Sequence, residues 1–101
     1  MQKNFWLHIT ESRPASRDAF STYMLAISPA PSNNYGGGAM PTVHGLTWEQ
    51  LSARLSAVGV HKHELIKAKN ELDSDDGSYT IAEVWLIDSQ IEELGFIPST
   101  V

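Results

Sequence analysis

Apolar and polar positions alternate over residues 4–11. Phe5, Leu7 and Ile9 point one way and Trp6, His8 and Thr10 the other, a period of two that predicts a strand. Residues 12–18, with Pro14 and two serines, predict a turn. Residues 19–28 fit two periods. Tyr23, Leu25 and Ile27 share a strand face, whereas Phe20, Tyr23, Met24 and Ile27 fall at helical spacing. The strand is preferred, because a hairpin gives residues 4–11 a partner. The polar side at Ser21 and Thr22 also lacks the Glu and Lys usual on a surface helix. Pro29 pushes Ser28 toward extended geometry in either case.

Residues 46–60 carry the clearest pattern, a helix with both ends specified. Trp48, Leu51, Leu55 and Val58 line one stripe. Thr47 suits the N-cap with Gln50 three residues on, a capping box, and Leu46 and Leu51 can staple across it. Gly59 suits a left-handed exit, with Val60 folding back on Leu55. After so short a turn a second helix is predicted over 61–73, with His61 as a weak cap, Glu64 in the first turn, and Leu65, Ile66, Ala68 and Leu72 on the apolar side. The short connection implies an αα-hairpin or a helix-turn-helix corner.

Asp75-Asp76-Gly77-Ser78 is turn chemistry. Residues 79–87 read as a strand, with Ala82, Val84 and Leu86 on one face and Tyr79, Ile81 and Trp85 on the other. Both faces are largely apolar, which places this strand centrally in a sheet. Asp88 or Ser89 caps a short helix over 89–94, ended by Gly95 with Phe96 over Ile91. Residues 29–45 hold three prolines and four glycines and predict a long loop. Residues 1–101 are thus expected to form one α+β domain, in the order β-β-α-α-β-α, with a small, mostly antiparallel sheet packed on an αα-hairpin. The expected core is Phe5, Leu7, Ile9, Leu51, Leu55, Val58, Leu65, Leu72, Ile81, Val84, Leu86 and Leu94. Were 19–28 helical, two strands would remain, and so small a sheet would favour dimerisation.

Composition narrows the chemistry. The apolar fraction is 42% and the charged fraction 19%, which suits a folded domain rather than a disordered chain. No cysteine is present, so disulfides, thiol catalysis and cysteine metal sites are excluded. The residues after Met1 lack a signal-like apolar run, and no stretch approaches the ~20 apolar residues of a membrane span. A cytoplasmic location with no membrane partner is expected. The formal charge of −5 disfavours nucleic acid and anionic membranes, which ask for a cationic surface.

Most candidate motifs fail on spacing. His61 and His63 stand at i and i+2 and diverge on a helix. No HExxH spacing exists, so no metal is expected. Asp73-Ser74-Asp75-Asp76-Gly77 begins like a calcium loop, but counted from Asp73 the fifth position is Gly77 and the twelfth Val84. Gly36-Gly37-Gly38 is followed by Ala-Met-Pro-Thr, not by the Lys-Ser/Thr of a phosphate loop. No G-x-S-x-G elbow supports a nucleophile, and neither a cofactor nor a catalytic residue is assigned. On the second helix Lys62, Lys67 and Lys69 are balanced by Glu64, Glu71 and Asp73, a solvated face rather than a DNA-reading one.

What remains is a set of aromatic and polar residues suited to contact surfaces: Trp6, Tyr35, Met40 and His44. The expected function is a non-catalytic protein-interaction module whose partner is another protein or a second copy, a homodimer. The contact would run through the 29–45 loop or the Trp6 face. The alternatives are a DNA-binding, helix-turn-helix-like regulator using helix 61–73, and a small ligand-binding protein or enzyme with a pocket under the 29–45 loop.

Overall fold

In the computed structural model, which describes residues 2–13, 21–29, 41–74 and 77–96, the alternation of residues 4–11 becomes a long strand, β1 (Lys3–Ser12). β2 (Thr22–Pro29) pairs with it antiparallel, so residues 22–28 take the strand and not the helix. The reason lies in burial: Tyr23, Leu25 and Ile27 face the same core as Leu7 and Ile9, with Leu7 opposite Ile27 and Ile9 opposite Leu25. A helix would have left β1 without that neighbour.

The described residues form four strands and three helices, an α+β architecture with the sheet order β3-β2-β1-β4, all neighbours antiparallel. Two expectations are corrected. Residues 42–45, placed in the 29–45 loop, form with Leu46 the strand β3 (Thr42–Leu46) on the edge beyond β2. Pro41 does not prevent this, because it precedes the strand, and its carbonyl accepts a hydrogen bond from the Ile27 N–H. Pro29, likewise assigned to that loop, is the last residue of β2.

The second correction concerns residues 79–87. β4 (Ser78–Leu86) is an edge strand beside β1, not a central one. Its double-sided apolar pattern has another cause. Phe5 pairs with Val84 but Leu7 with Ile81, so two residues of β4, Ala82 and Glu83, oppose the single residue Trp6. Such a bulge shifts the alternation by one. Ile81 and Leu86 therefore face the core together, and Trp85 faces away. β3 carries a second bulge, at His44–Gly45 opposite Met24. Both edge strands are thus interrupted, which opposes edge-to-edge pairing with another chain.

The helices cover one face. α1 (Trp48–Ala57) lies over β2 and β3 and against α3 (Asp88–Leu94), while α2 (Lys62–Asp73) lies over β4. α1 begins as expected: Gln50 N–H donates to Thr47 Oγ1 at 3.1 Å and Thr47 N–H to Gln50 Oε1 at 3.0 Å. It ends with Val60 N–H on the Leu55 carbonyl and Gly59 N–H on that of Ser56, with Gly59 left-handed at φ +94°. The same pair of bonds closes α3 at Gly95 and Phe96. α3 starts one residue earlier than expected, with Ile87 at the cap, because the Gln90 side chain reaches back to the Ile87 N–H at 2.9 Å.

Leu7, Ile9, Leu51, Leu55, Val58, Leu65, Leu72, Ile81, Leu86 and Leu94 form the buried core, joined by Tyr23, Leu25, Ile27, Leu46, Ala68, Ile91 and Phe96. Phe5 and Val84, expected inside, are partly buried at its margin. Ile66 is 51% exposed, since the buried stripe of α2 runs through Leu65, Ala68 and Leu72 and leaves residue 66 one step outside. No helix among the described residues is long and apolar enough to cross a membrane.

Candidate functional site

With the helices on one side, the other face of the sheet has no helix over it among the described residues. The even positions of β1 supply its centre: Asn4, Trp6, His8 and Thr10. β2 adds Met24, Ala26 and Ser28, β3 adds Thr42 and His44, and β4 adds Thr80 and, through its bulge, Trp85.

A polar rung crosses this face. His8 Nε2 lies 2.9 Å from Ser28 Oγ on one neighbouring strand, and Nδ1 lies 3.2 Å from Thr80 Oγ1 on the other. A neutral imidazole donates one of these bonds and accepts the other. Burial holds the His8 pKa below the usual histidine value. Trp6 stands edge-on to the imidazole, with centroids 6.5 Å apart. Trp85 pairs with Asn4 and is the diagonal neighbour of Trp6. Trp85 is 55% exposed, and the Asn4 Oδ1 beside it is buried without a hydrogen-bond partner among the described residues.

The Ser28–His8 contact has the spacing of a nucleophile and its base, but it does not assemble one. Ser28 is 4% exposed, and the third group on the imidazole is a threonine hydroxyl, which cannot stabilise an imidazolium as a carboxylate would. The rung fixes the position of the rings beside it. Small buried residues, Ala26 and Ser28, stand opposite His8 and Trp6 on β2.

A second cluster closes the helical side of the sheet at its other end. Tyr23 and Trp48 meet edge to face, 5.4 Å between centroids, and the Lys69 ammonium sits 5.7 Å from each ring. Lys69 donates to Tyr23 Oη at 3.1 Å and to Asp73 at 2.9 Å, and the Asp73 bond is the main cause of its raised pKa. Tyr23 donates in turn to Glu11, whose side chain is only 5% exposed and whose other oxygen accepts from Arg13. Arg13 also carries the Leu72 and Ser74 carbonyls at the end of α2. Among the described residues no group of three His, Asp or Glu is placed to hold a metal ion.

Of the residues singled out by sequence, Trp6 lies at the centre of the helix-free face, half-buried. His44 lies on the same face, exposed and hydrogen-bonded to Thr42 at 2.9 Å, but on β3, separated from β1 by the whole of β2. Tyr35 and Met40 lie outside the described residues. His8 and Trp85 were missed. His8 was legible as a neighbour of Trp6 at i+2 on one strand face, whereas Trp85 comes to that face only through a bulge that composition does not reveal. The chain matches no family model, and neither a curated protein nor a solved structure is significantly similar to it.

Proposed function

We propose that this chain is a non-catalytic protein-interaction module that associates with a second copy of itself through the helix-free face of the sheet. One observation carries the reading: Trp85, more than half exposed, lies diagonally beside Trp6 on the face that the His8 rung crosses. Exposed indoles in a contiguous patch mark contact surfaces, because they release much apolar area on burial.

Charge selects the occupant. Among the described residues that face carries no Lys or Arg. Aromatic rings on an open sheet can stack bases, but only where cations neutralise the phosphates. Carboxylates to match a basic partner are also scarce there, Glu83 standing at the edge in the β4 bulge. The complement of a nearly uncharged aromatic face is another such face. Two chains of charge −5 repel over distance, and an uncharged contact keeps that repulsion away from the interface. Four strands ~4.8 Å apart and about seven residues at ~3.4 Å give a plane of roughly 450 Å². A standard interface takes about 800 Å² from each partner, so the dimer is weak and depends on concentration. A cytoplasmic location goes with this reading.

Sedimentation velocity over a concentration series tests it. The wild-type chain sediments faster as concentration rises, and Trp85→Ser does not, while its thermal unfolding stays unchanged because the indole is outside the core. A wild-type chain that stays monomeric throughout, or a Trp85→Ser variant that associates equally, sinks the reading.

A further inference from the structure

The cluster on the helical side has a feature that core packing does not require. Tyr23, at the start of β2, and Trp48, the first residue of α1, form an L-shaped notch with an interplanar angle of 63°. A primary ammonium, Lys69 Nζ, stands in it, equidistant from the two ring centroids. The negative faces of aromatic rings attract cations within about 6 Å. Two acids join the cluster: Tyr23 is hydrogen-bonded to Glu11, and Asp73 binds the ammonium directly.

With Lys69 in place Tyr23 is 3% exposed, so its ring is open to a ligand only when Lys69 leaves. A cavity of about 520 Å³ opens beside the notch, reaching Thr47 and Glu49 at the head of α1. Three carboxylates line the cavity, Glu11, Glu49 and Asp73; Arg13 is paired with Glu11 and Lys69 with Asp73. Rings, acids and room together specify a positively charged organic group. Lys69 already shows that an alkylammonium fits the geometry.

We propose that the Tyr23–Trp48 notch is a binding site for an alkylammonium ligand, a methylated amine or a lysine side chain, and that Lys69 occupies it in cis as an internal competitor. Lys69 reaches it from α2, and its tether is weak. An exposed i,i+4 ion pair, a partly exposed cation–π contact and the hydrogen bond to Tyr23 Oη together hold it by a factor of about ten or more. A ligand displaces Lys69 into solvent by swinging its flexible stem, with no change in the backbone. The site lies on the helical side of the sheet, away from the Trp6 face, and stands independently of the dimer.

The three indole N–H resonances of Trp6, Trp48 and Trp85 provide the readout, with Trp48 assigned from Trp48→Phe. Tetramethylammonium and N-acetyl-lysine amide are titrated against wild type and Lys69→Gln, with 3,3-dimethylbutanol, whose tert-butyl head has nearly the shape of the first without its charge, as the neutral control. Both cations shift the Trp48 resonance selectively, and Lys69→Gln binds them at least about tenfold more tightly than wild type, the factor its tether had supplied. The neutral control leaves the resonance in place. Tetramethylammonium acting alone identifies methylated amines as the ligand, and the lysine derivative acting alone identifies a lysine side chain. Lys69→Met, which keeps the apolar stem, repeats the comparison if the glutamine variant does not fold. Lys69 variants in which neither cation moves Trp48, in which the alcohol moves it equally, or which bind no tighter than wild type, overturn the proposal.

Discussion

Glu83 opposes Trp6 where two residues of β4 face one of β1, and it holds a left-handed backbone at φ +59°. It is the only non-glycine residue in that region among the described residues. The bulge it sustains turns Trp85 away from the core while keeping Ile81 and Leu86 in it. A strained backbone conformation thus presents an exposed indole.

Left-handed geometry costs an L-residue about 1–2 kcal/mol, and more for a side chain branched at Cβ. Glu83→Gly is therefore expected to leave stability unchanged within about 0.5 kcal/mol or to raise it, as the relief of strain offsets the freer unfolded chain. Glu83→Val is expected to lose about 1 kcal/mol, the further crowding that a side chain branched at Cβ adds to the cost Glu83 already carries. Urea denaturation of both variants checks the ordering. A valine as stable as the glycine would mean that the bulge relaxes.

The glycines closing α1 and α3 differ in their surroundings. Both are left-handed, Gly59 at φ +94° and Gly95 at φ +103°. A Cβ at Gly59 meets nothing within 4 Å, whereas at Gly95 it meets Arg54 Nη1 at 2.5 Å and Val43 at 3.2 Å. Gly59→Ala should cost about 1 kcal/mol from the backbone alone. Gly95→Ala should cost more, because it also displaces the Arg54 guanidinium from the Leu94 carbonyl it serves at 3.1 Å. Repeating both changes in an Arg54→Ala background should bring the two costs closer together, a double-mutant cycle read by thermal unfolding.

His8 sets a pH dependence. Its folded pKa lies below the unfolded value because burial disfavours the imidazolium. The folded state therefore binds fewer protons than the unfolded chain between the two values. The stability tied to neutral His8 is fully present above about pH 6.5, the unfolded value, and is lost as pH falls through the lower folded value. Unfolding free energies measured from pH 7.5 downward should decline in wild type over that window. His8→Gln, which can bond hydroxyls on both sides without titrating, should flatten the decline. An unchanged slope in the variant would remove His8 as its source.

The sequence by itself determined whatever is decided within one turn or one strand. The Thr47–Gln50 box, the glycine exits at Gly59 and Gly95, the alternation of β1 and the Leu51–Leu55 stripe were legible, because each is satisfied by groups a few residues apart. The choice of strand over helix for β2 followed from one added consideration, the need of β1 for a partner. Only the tertiary structure decided the edge position of β4, the use of residues 42–46 as β3, and the side on which Trp85 lies. Register across a sheet is settled by total burial, and one bulged residue reverses every side chain beyond it. The His8–Thr80 bond spans 72 positions and the Lys69–Tyr23 bond 46. Contacts that distant leave no local pattern in the chain: they exist because the packed sheet and helices bring separate segments to the same place.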